Sequence, residues 1–345
     1  MRSEREMLDL INSAAEESVP MQPMTPKERA VAAFELRIPD QVPTFELGFT
    51  LAPEMFGINL YPSDLNREVI GKLSVLDKER RLNEVAEDIA YVFEALDWCI
   101  IPGHFGAGYV EGTFISPERV FLLKKVRELA GGRKMVGYTA DGTFSTSPRG
   151  GVHSLAYRVS NDPKGLHEEA KARMKTAIER NKRLAEAGVE VALLCADYCD
   201  KTGPFLSPAQ FGEFVAPYLA KIIAECKKAG MYTVKHTDGN IMPILDQLVA
   251  CQPHALHSLD PAAGVDIREV KVMIGHKTAL VGNVNCTALQ SGTDEEVTAS
   301  AEYCLTHGKP NGGYIFSTSN LPYRGMPPHR YQMALDVWKR MRDYP

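Results

Sequence analysis

Residues Met231-Tyr-Thr-Val-Lys-His-Thr-Asp-Gly-Asn240 contain the pattern that decides the fold. The run begins as a strand, is interrupted by a glycine, and continues with helical spacing over 241–250. Because alternate side chains of a strand point the same way, His236 and Asp238 should project together from its carboxyl end. An imidazole beside a carboxylate there is typical of a metal site, an acid/base pair or a substrate clamp. Asp238 can equally be the N-cap of the following helix.

The same strand-then-helix pattern recurs along the chain. The predicted strands are 42–47, 98–101, 134–138, 189–196, 232–235, 255–259, 278–281 and 313–316. The predicted helices are 3–17, 25–36, 64–73, 78–96, 116–129, 164–187, 207–228, 241–250, 266–273, 293–306 and 328–342. Repeated units of this kind force parallel pairing with right-handed crossovers. The predicted fold class is therefore α/β, a (β/α)8 TIM barrel with extra N-terminal helices.

The composition indicates one soluble globular protein. We expect a helical extension over 1–24 and a single barrel domain over 25–345. The net charge of −5 gives no electrostatic basis for binding nucleic acid. No apolar run is long enough to span a membrane, and the polar N-terminus is unlike a secretory signal. Seven scattered cysteines fit a reducing compartment, so we expect a cytoplasmic protein.

Polar residues follow nearly every predicted strand, and the chemistry of such barrels sits at the carboxyl ends of the strands. These residues are Glu46, His104, Asp141, Asp197, His236, Asp238, His257, Asp260, Asn283, Asn285 and the segment 317–320. Asp141, Asp260 and Asn285 can equally be turn or cap residues. The aromatic loop residues either line a partly apolar pocket or pack loops over the barrel. They are Phe45, Phe49, His104, Phe105, Tyr109, Phe144 and Tyr323, with Arg149 and Arg324 as the nearest cations.

A set of motifs in fixed order carries a resemblance to a known family. The motifs are 25–29 with 39–43, 188–191 with Asp197, 203–208 with 214–217, 236–239, 282–285, and 312–317 with 327–328. Together they resemble the uroporphyrinogen decarboxylase superfamily, which includes the zinc-dependent corrinoid (cobalamin) methyltransferases. The resemblance implies a uroporphyrinogen decarboxylase-like (β/α)8 barrel, in agreement with the strand pattern.

The segment Pro43-Thr-Phe-Glu-Leu-Gly-Phe49 separates two branches of that superfamily. In the true uroporphyrinogen decarboxylases of the superfamily that this chain resembles, the arginines of an early Arg-Gln-Ala-Gly-Arg-type segment hold the substrate carboxylates. Here it has no arginine, and Glu46 would repel such a substrate. A carboxy-lyase acting on porphyrinogens is therefore the alternative function. A non-catalytic binding barrel is a third interpretation.

The resemblance to the methyltransferase branch implies a metal site. That branch binds zinc through His-x-Cys and a later cysteine. The corresponding positions here are His236-Thr-Asp238 and Asn320, or its neighbour Ser319. The implied metal ligands are thus His236, Asp238 and Asn320, and the implied catalytic residues are His236, Asp238 and Asp197. Glu111, Asp197 and Glu213 are the candidates to complete the ligand set.

A carboxylate in place of a thiolate makes the site harder and richer in oxygen. We therefore expect zinc-assisted O-demethylation of a small methylated substrate, such as a methoxyaromatic compound. The methyl group would pass to a corrinoid on a separate corrinoid-binding protein, since the chain lacks an Asp-x-His-x-x-Gly motif. By analogy with relatives on this barrel, a homodimer is compatible with this interpretation. The predicted substrate-binding residues are Phe45, Glu46, His104, Tyr109, Phe144, Asn283 and Tyr323.

Overall fold

A computed structural model of the chain describes residues 23–145 and 151–345. The predicted helix 3–17, almost all of the proposed extension 1–24, and Arg149 lie outside the described residues.

The described strands form two sheets. They are β1 (Ile100–Pro102), β2 (Val110–Glu111), β3 (Phe114–Ile115), β4 (Met135–Thr139), β5 (Val191–Leu194), β6 (Tyr232–His236), β7 (Ala255–His257), β8 (Ala279–Val281) and β9 (Tyr314–Ile315). The main sheet has seven strands in the order β1-β4-β5-β6-β7-β8-β9, and every neighbouring pair is parallel. The other two, β2 and β3, form an antiparallel hairpin.

Helices connect the parallel strands, as crossovers between parallel neighbours require. They are α1 (Pro26–Phe34), α2 (Ala52–Phe56), α3 (Arg67–Ile70), α4 (Val75–Ala95), α5 (Pro117–Leu129), α6 (Gly151–Asn161), α7 (Pro163–Glu186), α8 (Pro208–Phe214), α9 (Ala216–Lys228), α10 (Leu245–Ala250), α11 (Ile267–Ile274), α12 (Cys286–Ser291), α13 (Asp294–Gly308) and α14 (Pro328–Met341). Short 3₁₀ helices span Ser63–Leu65, Met242–Ile244 and Pro261–Ala263. The architecture is a TIM-barrel-like α/β fold.

The first predicted strand, 42–47, forms one isolated bridge instead of a ladder. Thr44 makes a parallel bridge with Phe316, whose N–H donates to the carbonyl of Pro43 at 2.9 Å. On the other side, the N–H of Cys99 donates to the carbonyl of Thr44 at 2.8 Å. Pro43 has no N–H of its own, which shortens the run of ladder hydrogen bonds. This segment therefore lies between the two edge strands of the main sheet, with hydrogen bonds next to β9 on one side and next to β1 on the other.

Some predicted helices are divided or shifted. The predicted helix 207–228 is two helices, because Pro217 lacks an N–H and its ring conflicts with a continuous helix. The first helix ends at Phe214 and the second begins at Ala216. The predicted helix 64–73 is a 3₁₀ turn followed by α3. Helices α6 and α12 and the hairpin of β2 and β3 had no counterpart in the sequence prediction.

One apolar core runs through the sheet and the helices packed on it. The strands β5 and β8 are buried at every position, which explains their uninterrupted apolar sequences. Among the described residues, no helix is both long enough and apolar enough to cross a membrane.

A buried ion pair ties three neighbouring strand ends together. Lys235 of β6 is fully buried, and its ammonium group donates to Asp141 Oδ2 at 2.9 Å and to the carbonyl of Ala196 at 2.8 Å. Asp141 follows β4 and accepts from the N–H of Ala196 at 3.1 Å. Burial opposes ionisation of Asp141, yet the charge of Lys235 keeps the pKa of that carboxyl below its usual value. The pair therefore fixes the loops that follow β4 and β5 at the carboxyl end of the sheet.

Replacing Lys235 with methionine should lower the free energy of unfolding by about 3–5 kcal/mol, because Asp141 is left as an unpaired buried charge. Urea denaturation followed by circular dichroism measures this loss. The double variant K235M/D141N, which also removes the charge of Asp141, should lose less stability than K235M alone.

A matched control is Lys221→Met. Lys221 makes a surface ion pair with Glu225 and is half exposed, so its loss should cost about 1 kcal/mol or less. A K235M protein as stable as K221M would contradict a structural role for the buried pair.

Candidate metal centre

The carboxyl end of β6 carries His236 and Asp238. His236 ends the strand and is buried, while Asp238 lies two residues further on and is half-buried. Asp197 follows β5, the neighbouring parallel strand. The three side chains offer ligand atoms that all lie within 4.8 Å of one another. The predicted catalytic residues Asp197, His236 and Asp238 thus form one cluster, which we call the centre.

The geometry of the centre points both carboxylates toward one nitrogen. His236 Nε2 lies 3.6 Å from Asp197 Oδ1 and 3.7 Å from Asp238 Oδ1. The N–H of Asp238 donates to Asp197 Oδ1 at 3.3 Å. The side chains of Asp197 and Asp238 are 41% and 34% exposed, whereas that of His236 is 8% exposed. A buried imidazole thus faces two carboxylates that remain accessible from outside.

Two side chains from other strand ends orient Asp238. Ser258, which follows β7, donates its hydroxyl to Asp238 Oδ1 at 3.0 Å. Asn320 donates its amide nitrogen to Asp238 Oδ2 at 2.7 Å. Ser258 has a φ of 87°, a left-handed conformation that costs a non-glycine residue about 1–3 kcal/mol. Asn320 therefore reaches the centre as a hydrogen-bond donor to Asp238, and its role as a metal ligand stays a prediction.

The environment sets the protonation of the centre. Burial, and then the charge of Lys235, lowers the pKa of His236 to about 3, so its ring is neutral at pH 7. Burial, and then the nearby Asp197, raises the pKa of Asp238 to about 6. A neutral imidazole with two carboxylates is a donor set that suits zinc and other divalent cations. A cation here would also relieve the repulsion between the carboxylates, so the residues fit a metal ion.

A line of buried side chains leads away from the other nitrogen of His236. His236 Nδ1 lies 2.8 Å from Nδ1 of His257, its register partner on β7. His257 Nε2 lies 3.2 Å from Ser317 Oγ, which donates to Glu46 Oε2 at 2.8 Å. Glu46 also accepts from the N–H of Thr318 at 3.0 Å and from its hydroxyl at 2.6 Å. His257 and Ser317 were noted as strand-end residues, but sequence reasoning gave them no role in the site.

Glu46 is placed differently from the expectation that it faces and repels the substrate. It is 1% exposed and lies in the interior, where burial raises its pKa to about 8 against hydrogen bonds from Thr318 and Ser317. Its neighbour Phe45 has no exposed surface and belongs to the main apolar core. Neither side chain lies on an open wall where it would meet a substrate.

Other predicted substrate-binding residues make structural contacts. Phe144 packs in a small separate cluster with Leu166, Ala170 and Phe214. Asn283 is buried, donates to the carbonyl of Leu259 at 2.7 Å and accepts from Cys304 Sγ at 3.2 Å. Because these contacts satisfy the amide of Asn283 and bury Phe144, they account for both residues without a substrate.

His104, Tyr109 and Tyr323 lie closer to open space. The Nδ1 atom of His104 is buried and has no hydrogen-bond partner among the described residues, and burial lowers the pKa of this ring to about 4. Tyr109 lies under the guanidinium of Arg67, 4.0 Å from the ring centre, in a cavity of about 440 Å³. Tyr323 is 40% exposed. Contact of these three residues with a substrate stays a prediction.

Glu111 and Glu213, two of the candidates to complete the ligand set, lie away from the centre. Glu111 is exposed on the hairpin strand β2 and pairs with Arg67 at 3.3 Å. Glu213 lies 3.5 Å from His167 Nε2. Of the three acids considered from the sequence, the structure brings Asp197 to the centre.

Comparisons with known proteins give a family and a fold. Residues 148–341 match the family model described as Uroporphyrinogen decarboxylase (URO-D). A search of curated proteins finds no match. Among solved structures, a methyltransferase from Methanosarcina mazei has a TM-score of 0.67 at 17% identity, over 92% of this chain and 99% of that chain. A D-psicose 3-epimerase from Clostridium cellulolyticum H10 has a TM-score of 0.46 at 13% identity, over 75% of this chain and 93% of that chain. At 17% identity, the first likeness establishes a shared fold.

The buried carboxyl of Glu46 should make stability fall as pH rises. Its folded pKa of about 8 lies above the ordinary value of 4.5, so the native state holds more protons than the unfolded state between these values. The contribution is complete below about pH 4.5 and is lost as pH rises through about 8. Between pH 5 and 8 the wild type should lose on the order of a few kcal/mol relative to Glu46→Gln. Urea unfolding at several pH values measures the difference.

The control is Glu128→Gln, which removes a carboxyl that is 69% exposed and should leave the pH slope of the wild type intact. Equal slopes for wild type and E46Q would contradict a raised pKa for Glu46.

Proposed function

The chain belongs to the uroporphyrinogen decarboxylase family, and we propose that it is a methyltransferase of that family. It demethylates a small methylated compound, such as a methoxyaromatic one, and passes the methyl group to a corrinoid on a separate protein. The observation that carries this proposal is the cluster of Asp197, His236 and Asp238 at the carboxyl ends of adjacent parallel strands.

The donor set favours an oxygen-centred substrate. Two carboxylates and one imidazole form a hard site, which suits an ether oxygen better than a thiol. Bound zinc would act there as a Lewis acid that polarises the ether oxygen and stabilises the phenolate that leaves. Asp197, His236 and Asp238 are the residues that would hold it. Ser258 and Asn320 fix the carboxylate of Asp238, and His257 fixes the ring of His236.

A cavity beside the last strand end suits a compact, partly aromatic substrate. Asn320, which donates to Asp238, is followed by Leu321. The side chains of Leu321 and His104 both lie beside Gly48. The ring of His104 stacks on Tyr61 with centres 6.2 Å apart. Tyr61 lines a cavity of about 340 Å³ together with Phe49, Thr50, Ala52, Pro53, Asn59, Leu60 and Arg324. We assign substrate binding to this region, and we propose that segment 43–46 closes the barrel beside it as an eighth strand.

Decarboxylation of a porphyrinogen has less support. Segment 43–49 has no arginine to hold carboxylates. Arg324, the cation of the neighbouring cavity, lies 3.4 Å from Glu54 and is largely exposed. One guanidinium already paired with a carboxylate is a poor receptor for a substrate with many carboxylates.

The proposal predicts that the purified protein binds about one zinc ion and transfers methyl groups from methoxylated benzoates to free cob(I)alamin. His236→Ala should lower both zinc content and methyl transfer by roughly 100-fold or more, since even an outer partner of a ligand is worth 10–100-fold. Metal analysis and the absorbance of the corrinoid measure the two effects.

The matched control is His276→Ala, which removes an exposed histidine outside the centre and should change neither quantity. A zinc-free wild type whose methyl transfer survives His236→Ala would contradict the proposal. Turnover of uroporphyrinogen would favour the carboxy-lyase instead.

Asp238→Cys should convert the centre into a softer one. A thiolate ligand lowers the Lewis acidity available to an ether oxygen, so demethylation of methoxylated benzoates should fall. Loaded with cobalt, the variant should show thiolate-to-cobalt charge-transfer absorption, whereas the wild type should show none.

Cys286, which is half-buried, is a native thiol on the helix after β8. The charge-transfer band of Asp238→Cys should persist when Cys286→Ser is added. A band of equal strength in the wild type would show that a native cysteine binds the metal and would contradict the oxygen-rich centre.

A further inference from the structure

Four polar side chains form an unbroken buried line through the interior. The line runs from His236 on β6 through His257 on β7 and Ser317, just after β9, to Glu46 in segment 42–47. As whole residues, these four are 6%, 1%, 0% and 1% exposed in the same order. Successive polar atoms lie 2.8, 3.2 and 2.8 Å apart. Barrel interiors are normally filled by branched apolar side chains, so a polar line of this length is costly unless every group is satisfied.

The atoms in this line restrict its hydrogen bonds to two directions. Neutral imidazole has one N–H donor and one acceptor nitrogen, so in the Nδ1–Nδ1 contact one ring donates and the other accepts. In the first direction His236 donates to His257, His257 donates to Ser317, and Ser317 donates to the carboxylate of Glu46. Nε2 of His236 then carries a lone pair that faces Asp197 and Asp238.

In the second direction every donor is reversed. Protonated Glu46 donates to Ser317, Ser317 donates to His257, and His257 donates to Nδ1 of His236. Nε2 of His236 then carries the hydrogen and donates toward the carboxylates. The second state holds one proton more than the first, and both rings are neutral in each. The only net change along the line is therefore whether Glu46 holds a proton.

We propose that Glu46 is a positioning residue that sets, through Ser317 and His257, which ring nitrogen of His236 carries the hydrogen. The cation site of the proposed function is the premise of this inference. With Glu46 as a carboxylate, Nε2 of His236 is a ready ligand; with Glu46 protonated, the same atom is blocked. Glu46 thus acts on the centre across three hydrogen bonds without touching it.

Two features of Glu46 fit this role. It is the terminal acceptor of the line, because the N–H and hydroxyl of Thr318 also donate to it. Its two oxygens also differ in their partners: Ser317 and the hydroxyl of Thr318 contact Oε2, whereas the N–H of Thr318 lies within reach of both, at 3.0 Å from Oε1 and 3.1 Å from Oε2. A glutamine here can keep its carbonyl on the N–H of Thr318 and direct its amide N–H₂ toward Ser317.

Glu46→Gln therefore locks the line in the second direction while preserving its shape. We expect His236 in this variant to be the Nε2–H tautomer. At a pH above about 8, where Glu46 of the wild type is a carboxylate, the zinc affinity of the variant should be roughly 10-fold or more below that of the wild type, as for outer partners of metal ligands. Nitrogen-15 chemical shifts of the histidine rings in the metal-free protein report the tautomer. Calorimetric titration with zinc alone reports the affinity.

Ser317→Ala distinguishes two explanations for an effect of Glu46→Gln. One is the relay, meaning the transmission from Glu46 to His236 through Ser317 and His257, and the other is the simple loss of a negative charge. If Glu46 acts through the line, adding Glu46→Gln to Ser317→Ala should cause no further loss of zinc affinity. If Glu46 acts only as a distant negative charge, the loss should persist in the S317A background, and the proposal is overturned. Glu128→Gln, which removes an exposed carboxyl, should change neither the tautomer nor the affinity.

The two readouts also separate this inference from the proposed function. The tautomer measurement needs neither metal nor substrate, so it tests the relay even if the protein fails to transfer methyl groups. At a pH above about 8, where Glu46 of the wild type is a carboxylate, an unchanged His236 tautomer in Glu46→Gln overturns the relay, whatever the activity. Should Glu46→Gln not fold, Ser317→Ala alone should leave His236 as a mixture of tautomers, and a single unchanged tautomer would overturn the proposal.

Discussion

The contact between the Nδ1 atoms of His236 and His257, 2.8 Å apart, is the interaction on which the site depends. It follows directly from the sheet, since the parallel register of β6 and β7 places these two residues side by side. A ring held at Nδ1 by its neighbour presents Nε2 in one fixed direction. That direction is toward Asp197 and Asp238, and the chemistry proposed for the centre starts from this orientation.

Lys235, the residue before His236 on β6, has a structural role. Successive side chains of a strand point to opposite faces, so Lys235 and His236 enter separate networks. Lys235 donates to Asp141 and to the carbonyls of Leu194 and Ala196, and it thereby fixes the loop that carries Asp197. Of these two neighbouring buried residues, Lys235 therefore holds the strand ends together, and His236 belongs to the proposed metal centre.

Much of this arrangement was predictable from the sequence because it depends on local periodicity. Strand-end positions and the two-residue alternation were enough to place Asp197, His236 and Asp238 near one another. The lysine–aspartate pair was not foreseen, because Asp141 and Lys235 are distant in sequence. The burial of Glu46 was not predictable, because no local pattern shows which side chains of an irregular segment meet the core. From the sequence, Glu46 is expected to face the substrate. The division of the predicted helix 207–228 was also missed. Apolar spacing continues through Pro217, and the break follows from the backbone N–H that proline lacks.

The central claim is that Asp197, His236 and Asp238 bind a divalent cation through oxygen and nitrogen alone. X-ray absorption spectroscopy of the zinc-loaded wild-type protein tests it most directly, because sulfur ligands lie at about 2.3 Å and nitrogen or oxygen ligands at about 2.0–2.2 Å. We expect a first shell of nitrogen and oxygen atoms, including one imidazole. A sulfur shell, or the absence of stoichiometric zinc, would contradict it.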